Sequence, residues 1–118
     1  MGLSGKNSMA DTKSYQVLWS HTAQQDLTEI IEYIAQDSVG NALEILHKLE
    51  SKAALLLTLP NRGRILPELL QTGISQYREL ISAPWRIVYR VESRQVLIMA
   101  VLDSRRDLQT VLLNRLAR

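Results

Sequence analysis

The sequence predicts an α+β domain in the order β-α-α-β-β-β-α, with a mostly antiparallel sheet and helices packed on it. Two helical stripes of apolar residues follow one another before residue 60. Three strand-like segments with short connections fill residues 76–102, and a last helical stripe closes the chain. At 118 residues and 13.4 kDa there is room for one domain and not two.

Residues 1–14 are polar, rich in Gly, Ser and Lys, and without periodicity. They read as a disordered tail, with the part ahead of Met9 as a remnant of expression, and a single domain is expected over 15–118. Tyr15-Gln16-Val17-Leu18-Trp19 alternates enough for a short strand. Ser20 or Thr22 can cap the helix that follows, whose apolar stripe is Ala23, Leu27, Ile30, Ile31 and Ile34. Ser38-Val39-Gly40-Asn41 is a break. Ala42, Ile45, Leu46, Leu49, Ala53, Leu56 and Leu57 then mark a second helix that stops before Pro60. So short a link implies an antiparallel helical hairpin. Trp19 and Tyr33 read as core.

Asn61–Ser75 carries Gly, Arg and Pro67 and reads as a loop, with one helical turn at Glu68–Gln71. Gln76–Ser82 is a strand bounded by Pro84. In Trp85–Glu92, Ile87, Tyr89 and Val91 alternate with Arg86, Val88 and Arg90, so Arg86 and Arg90 share a face. Gln95–Leu102 is nearly all apolar, as a central strand covered on both faces would be. The tight Glu92–Gln95 link implies an antiparallel hairpin. Ser104-Arg105-Arg106-Asp107 reads as a capping box for a helix carrying Leu108, Val111, Leu112 and Leu116, with Asp107 in its first turn. One core is expected, from Ile87, Tyr89, Val91, Ile98 and Ala100 with the stripes Leu27/Ile31/Ile34 and Ile45/Leu49/Leu56. The other sheet face is expected to stay partly open.

Composition removes several function classes. There is no Cys, hence no disulfide, thiolate metal site or Cys nucleophile, which suits a reducing compartment. No apolar run approaches the ~20 residues of a membrane span, and the N-terminus has no apolar signal core. His21 and His47 read as surface residues, so neither metal nor cofactor is expected.

Charge is distributed unevenly. Four Lys against seven acids leave residues 1–59 near −3, while ten Arg against five acids leave residues 60–118 near +5. An all-Arg basic half suits carboxylates or phosphates, which the guanidinium fork binds bidentately. The competing reading is a solvated surface paired with the domain's own acids.

From about Tyr15 to Leu116, this order and several motifs resemble the RelE/ParE superfamily of toxins. The first helix, from Ala23-Gln24-Gln25-Asp26-Leu27 through Tyr33-Ile34, is similar to the family's Ala-x-x-Asp-Leu…Tyr-Ile pattern. Gly63-Arg64-Ile65-Leu66-Pro67-Glu68-Leu69 resembles its Gly-Arg…Pro-Glu-Leu segment. The strongest block is Tyr77-Arg78-Glu79-Leu80 with Trp85 through Val91. Arg106-Asp107-Leu108 match the closing motif of the ParE branch, although Asp103-Ser104 stand where that branch often has His-Gly. The resemblance implies the toxin of a type II toxin–antitoxin module that acts in the cytoplasm and stabilises plasmids. Its partner would be a cognate antitoxin, in a hetero-oligomer or beside a homodimer. Its target would be DNA gyrase in the ParE branch, or the ribosome and its messenger RNA in the RelE branch. An inactive relative that still binds an antitoxin is the third reading.

Metal-free RNA cleavage needs a base for the 2′-hydroxyl, a cation for the phosphate and an acid for the leaving oxygen. By resemblance Arg86 matches the cation of the nucleases and Glu68 the base, although Glu68 is equally readable as Arg64's ion-pair partner. The His or Tyr acid is missing; Asp103 and Ser104 stand in its place, and alternation puts Tyr89 on the face opposite Arg86. The expectation is therefore a gyrase-directed toxin without catalysis, with Arg64, Arg78, Arg86, Arg90, Arg105 and Arg106 facing target or antitoxin.

Overall fold

The computed structural model describes residues 15–117; the expected tail over 1–14 and Arg118 lie outside the described residues. The chain runs β1 (Gln16–Trp19), α1 (His21–Ala35), α2 (Val39–Ala54), a 3-10 turn (Leu55–Leu57), β2 (Arg64–Ile65), α3 (Pro67–Leu70), β3 (Tyr77–Ser82), β4 (Trp85–Glu92), β5 (Gln95–Asp103) and α4 (Leu108–Leu116). This is the expected order with β2 added and the single helical turn placed one residue early. Pro67 opens α3 because its fixed φ suits the first helical position and its missing N–H is not needed there.

The caps set the boundaries. Ser20 accepts a hydrogen bond from Ala23 N at 3.0 Å and starts α1. Ser38 accepts from Asn41 N at 3.1 Å, so the break is shorter than expected and Val39–Asn41 are already helical. The capping box of the last helix is corrected: Asp107 is the cap, accepting from Thr110 N at 3.3 Å. Ser104 is held elsewhere, with both its N–H and its hydroxyl donating to the Pro84 carbonyl. Arg105 and Arg106 therefore lie in the turn before α4.

The five strands are ordered β1-β5-β4-β3-β2, with β1 parallel to β5 and every other pair antiparallel. Val88 lies opposite Ala100 and Tyr89 opposite Ile98, which leaves Met99 as an extra residue on β5. Such a bulge reverses the alternation of the strand beyond it. Val96, Ile98 and Val101 thus share one face, and Ala100 and Leu102 the other.

Helices cover both sheet faces, so there are two apolar clusters and not one, and the bulge lets β5 contribute to each. On the first face the α1–α2 hairpin buries Ala23, Leu49, Ala53 and Leu56 against Leu80, Ile87, Tyr89 and Ile98. On the second, α3 and α4 bring Leu69, Leu108 and Leu112 onto Tyr77, Val88, Ala100 and Leu102. Ala100 was expected in the first cluster, and the second face was expected to be more open. Ile31 and Ile34 are only half-buried. Tyr33, expected in the core, is 73% exposed, because it lies on the side of α1 turned away from the sheet.

One polar tie joins the layers. β5 runs past the end of β1, and there the Val101 N–H donates to Asp26 Oδ2 of α1 at 2.9 Å. Arg115 of α4 donates to both Asp26 oxygens at 2.8 Å. A backbone group left over at a strand end is thereby satisfied, and two helices are linked across the sheet edge. Among the described residues no helix is long and apolar enough to cross a membrane.

Candidate functional site

The hairpin between β3 and β4 places Glu79 opposite Val88 and Ile81 opposite Arg86. Alternation then turns Glu79 and Arg86 to the second face as diagonal neighbours. β2 pairs Arg64 with Glu79, and α3 brings Glu68 over the same spot. Four charges meet there. Arg86 donates from both terminal nitrogens to the Glu68 carboxylate, at 2.6 and 2.8 Å, and from Nε to Glu79. Arg64 donates from its Nε to the other Glu79 oxygen.

Burial ranks these groups. The Glu79 side chain is fully buried, that of Arg86 is 8% exposed, that of Glu68 27% and that of Arg64 61%. Two carboxylates and two guanidinium groups sum to neutrality, and each buried member meets opposite charge, which is what makes their burial tolerable. Hydrogen bonding from Arg86 holds the Glu68 carboxyl below its ordinary value. Glu68, with Glu79, holds the Arg86 guanidinium even more firmly protonated than usual. Glu68 thus pairs with Arg86, and Arg64 pairs with Glu79.

Glu79 is the member that the sequence reading did not single out. Its signal was available: a two-residue turn at Ala83-Pro84 fixes the hairpin register, and period two then sends Glu79 to the Arg86 face.

The remaining expected site residues lie apart. Arg78 turns to the first face and donates to the Gly63 carbonyl at 2.7 Å. Tyr89, on that face as expected, accepts from Gly63 N at 3.0 Å. Gly63 is gripped from both sides, and a Cβ there would stand 2.4 Å from the Glu79 carbonyl oxygen and 2.6 Å from the Tyr89 hydroxyl. Only glycine fits.

Arg90 shares the second face with Arg86, about 13 Å along the strand at ~3.3 Å per residue. It reaches Glu92 at 3.3 Å, while its buried Nε has no hydrogen-bond partner among the described residues. Beside its register neighbour Tyr77 opens a cavity of about 210 Å³ walled by Leu69, Val88, Met99, Leu112 and Leu116. Arg105 is bonded to Asp103 through its backbone N–H and its guanidinium. That bonding pulls the Asp103 carboxyl down to about 2. Arg106 is exposed in the same turn.

Comparison with known proteins agrees with this architecture. The family model described as the ParE toxin of the type II toxin–antitoxin system parDE matches residues 17–108. No curated protein matches the chain. Among solved structures, a chain of the chromosomal ParDE toxin–antitoxin system from P. aeruginosa superposes with a TM-score of 0.63 at 19% identity, covering 77% of this chain and 97% of that one. A chain of the toxin–antitoxin complex RelBE2 from Mycobacterium tuberculosis superposes with a TM-score of 0.57 at 22% identity, covering 76% of this chain and 91% of that one. Identities this low speak for a shared fold.

Proposed function

The chain belongs to the ParE toxin family of type II toxin–antitoxin systems, and from that premise we propose that it inhibits DNA gyrase in the cytoplasm and is held in check by a cognate antitoxin. The observation that carries the choice of target is the Arg86–Glu68 pair. A nuclease would need Arg86 open to the phosphate and Glu68 open to the 2′-hydroxyl proton. Here each closes the other off, bidentately, and Glu79 takes the Arg86 Nε on the other edge of the guanidinium. Glu68 is a poorer base than a free Glu, since its carboxyl is held below the ordinary value.

The acid is lacking as well. Asp103, at about 2, is ionised at neutral pH and has no proton to give. The Ser104 hydroxyl donates to the Pro84 carbonyl at 2.7 Å. A lost general acid costs about 10²–10⁴ in rate. Inhibition by docking needs none of these groups free.

The antitoxin reading is supported by the second face. The two solved relatives come from toxin–antitoxin systems, and the half-buried Arg90 guanidinium and the neighbouring apolar cavity offer an acidic, apolar segment both kinds of contact. Arg86 is removed from that surface by its burial, so Arg90 and the exposed side of α4 carry it. Arg90→Glu should weaken the complex at least several-fold, mainly through faster dissociation.

Two parallel assays test the target. Purified protein should block supercoiling by gyrase and leave messenger RNA on purified ribosomes intact. Ribosome-dependent cleavage that disappears in a Glu68→Ala protein would overturn this reading.

A further inference from the structure

On the hairpin side of the sheet a second depression of about 590 Å³ runs between α1 and the turn from β5 to α4. Its apolar lining is Ile30, Tyr33, Ile34, Trp85 and Val101. Tyr33 is the most exposed large apolar side chain among the described residues. It lies one turn from Ile30 and beside Ile34, both partly buried, so it extends the apolar surface of α1 outward from the stripe packed on the sheet. An aromatic held in water beside an apolar lining is the composition that marks a contact surface rather than a random exposed residue.

The charges at this groove are largely committed within the chain. Asp26 is bonded by Arg115 and by the Val101 N–H. Asp103 is bonded by Arg105. Glu29 feels the charge of Arg115 and makes no ion pair or side-chain hydrogen bond among the described residues. Arg106 lines the groove, is exposed, and makes no ion pair or side-chain hydrogen bond among the described residues; the carboxylate whose charge it feels, Asp103, already belongs to Arg105. The groove therefore offers apolar lining that includes two aromatic side chains, Tyr33 and Trp85, together with an exposed guanidinium that has no ion-pair partner among the described residues, Arg106. What complements it is a protein segment with a bulky apolar side chain followed by a carboxylate.

We propose that this groove is the surface that engages the target enzyme, gyrase, through such a segment: the apolar side chain seats against Tyr33 and Trp85, and the carboxylate takes Arg106. The assignment rests on the gyrase reading above. It also separates the two partners in space. Trp85 and Val101 belong to the first face, whereas Arg90, Tyr77 and Val88 of the antitoxin surface belong to the second.

The test is gyrase supercoiling inhibition by purified wild type, Tyr33→Ala, Arg106→Glu and, as a control of equal charge change outside the groove, Lys48→Glu on α2. Both groove variants alter exposed side chains, so their melting temperatures should match wild type. Each should need about ten-fold more protein or above for half-inhibition, the size of a single anchor contact, and Lys48→Glu should behave as wild type. Wild-type inhibition with equal potency in the groove variants overturns the groove while leaving gyrase as target. A loss shared by Lys48→Glu overturns it too, since net charge would then explain the effect. A wild-type protein that leaves supercoiling untouched refutes the gyrase reading itself, and this assignment with it.

Discussion

Arg86→Met separates a structural arginine from a catalytic one. In wild type Arg86 makes one hydrogen bond to Glu79 and two to Glu68, with its side chain 8% exposed. Methionine keeps much of the volume and removes all three bonds. Glu68 can turn to water, being 27% exposed. Glu79 cannot: its side chain is fully buried, and it would retain only Arg64, itself 61% exposed. Removing one partner of a buried pair costs about 3–5 kcal/mol because the other charge is left behind. For a domain near 100 residues that corresponds to a melting temperature lower by roughly 12–25 °C. Urea unfolding followed by circular dichroism reads it directly. The double variant Arg86→Met/Glu79→Leu should recover most of the loss, since no buried charge is then orphaned. A catalytic arginine held open for phosphate would behave in the opposite way, and its removal would be neutral or stabilising. A cost below about 1 kcal/mol for Arg86→Met would refute the reasoning.

Three further outcomes follow from the same contacts. Gly63→Ala should destabilise by about 1–3 kcal/mol in denaturant unfolding, because the added Cβ meets the Glu79 carbonyl oxygen and the Tyr89 hydroxyl at 2.4 and 2.6 Å; a neutral result would mean that the loop over 61–66 moves freely. Leu49→Ala should cost roughly 2–5 kcal/mol, since Leu49 is fully buried between the hairpin and the sheet, and a cost under about 1 kcal/mol would mean that the hairpin is not packed there. Glu68 titrates below its usual 4.5 when folded, so the unfolded chain binds its proton first and the stability it contributes is present above that value and lost as pH falls through the folded one; stability measured from about pH 5 to about pH 3 should therefore decline less steeply in Glu68→Gln than in wild type, and parallel curves would count against the pairing.

The elements were legible because each rests on a local signal. The stripes of α1 and α2 have helical spacing, β4 alternates, and Pro67 marks the start of α3. The place of Ala100 and Leu102 in the second apolar cluster was not legible, because it depends on Met99 being an extra residue, and nothing within Gln95–Leu102 distinguishes a bulged apolar strand from a regular one. Tyr33 misled for a related reason: periodicity places it beside Ile30 and Ile34 but does not say which apolar strip meets the sheet. Of the candidate site, Glu68 and Arg86 were both singled out, but the ion-pair partner read for Glu68 was Arg64, and Glu79 could have been added from hairpin register. The Asp26–Arg115 tie had no local signal, since 89 positions separate the two in the chain.

The identity of a motif residue therefore decides less than its neighbours do. The strand arginine here matches that of RNA-cleaving relatives by resemblance, yet its chemistry follows from who reaches it first. A guanidinium in water would meet phosphate with both edges free. Arg86 instead meets two carboxylates delivered by β3 and α3, in a neutral quartet with Arg64 that occupies both its edges. Opening it to a phosphate would require Glu68 to leave two charge-assisted bonds at once, and Glu79 would still hold the Nε. Such a quartet favours retention of Arg86, because losing it leaves the buried Glu79 carboxylate with only the largely exposed Arg64 as partner. The motif can thus be held in place by its part in folding, with no catalytic role required of it.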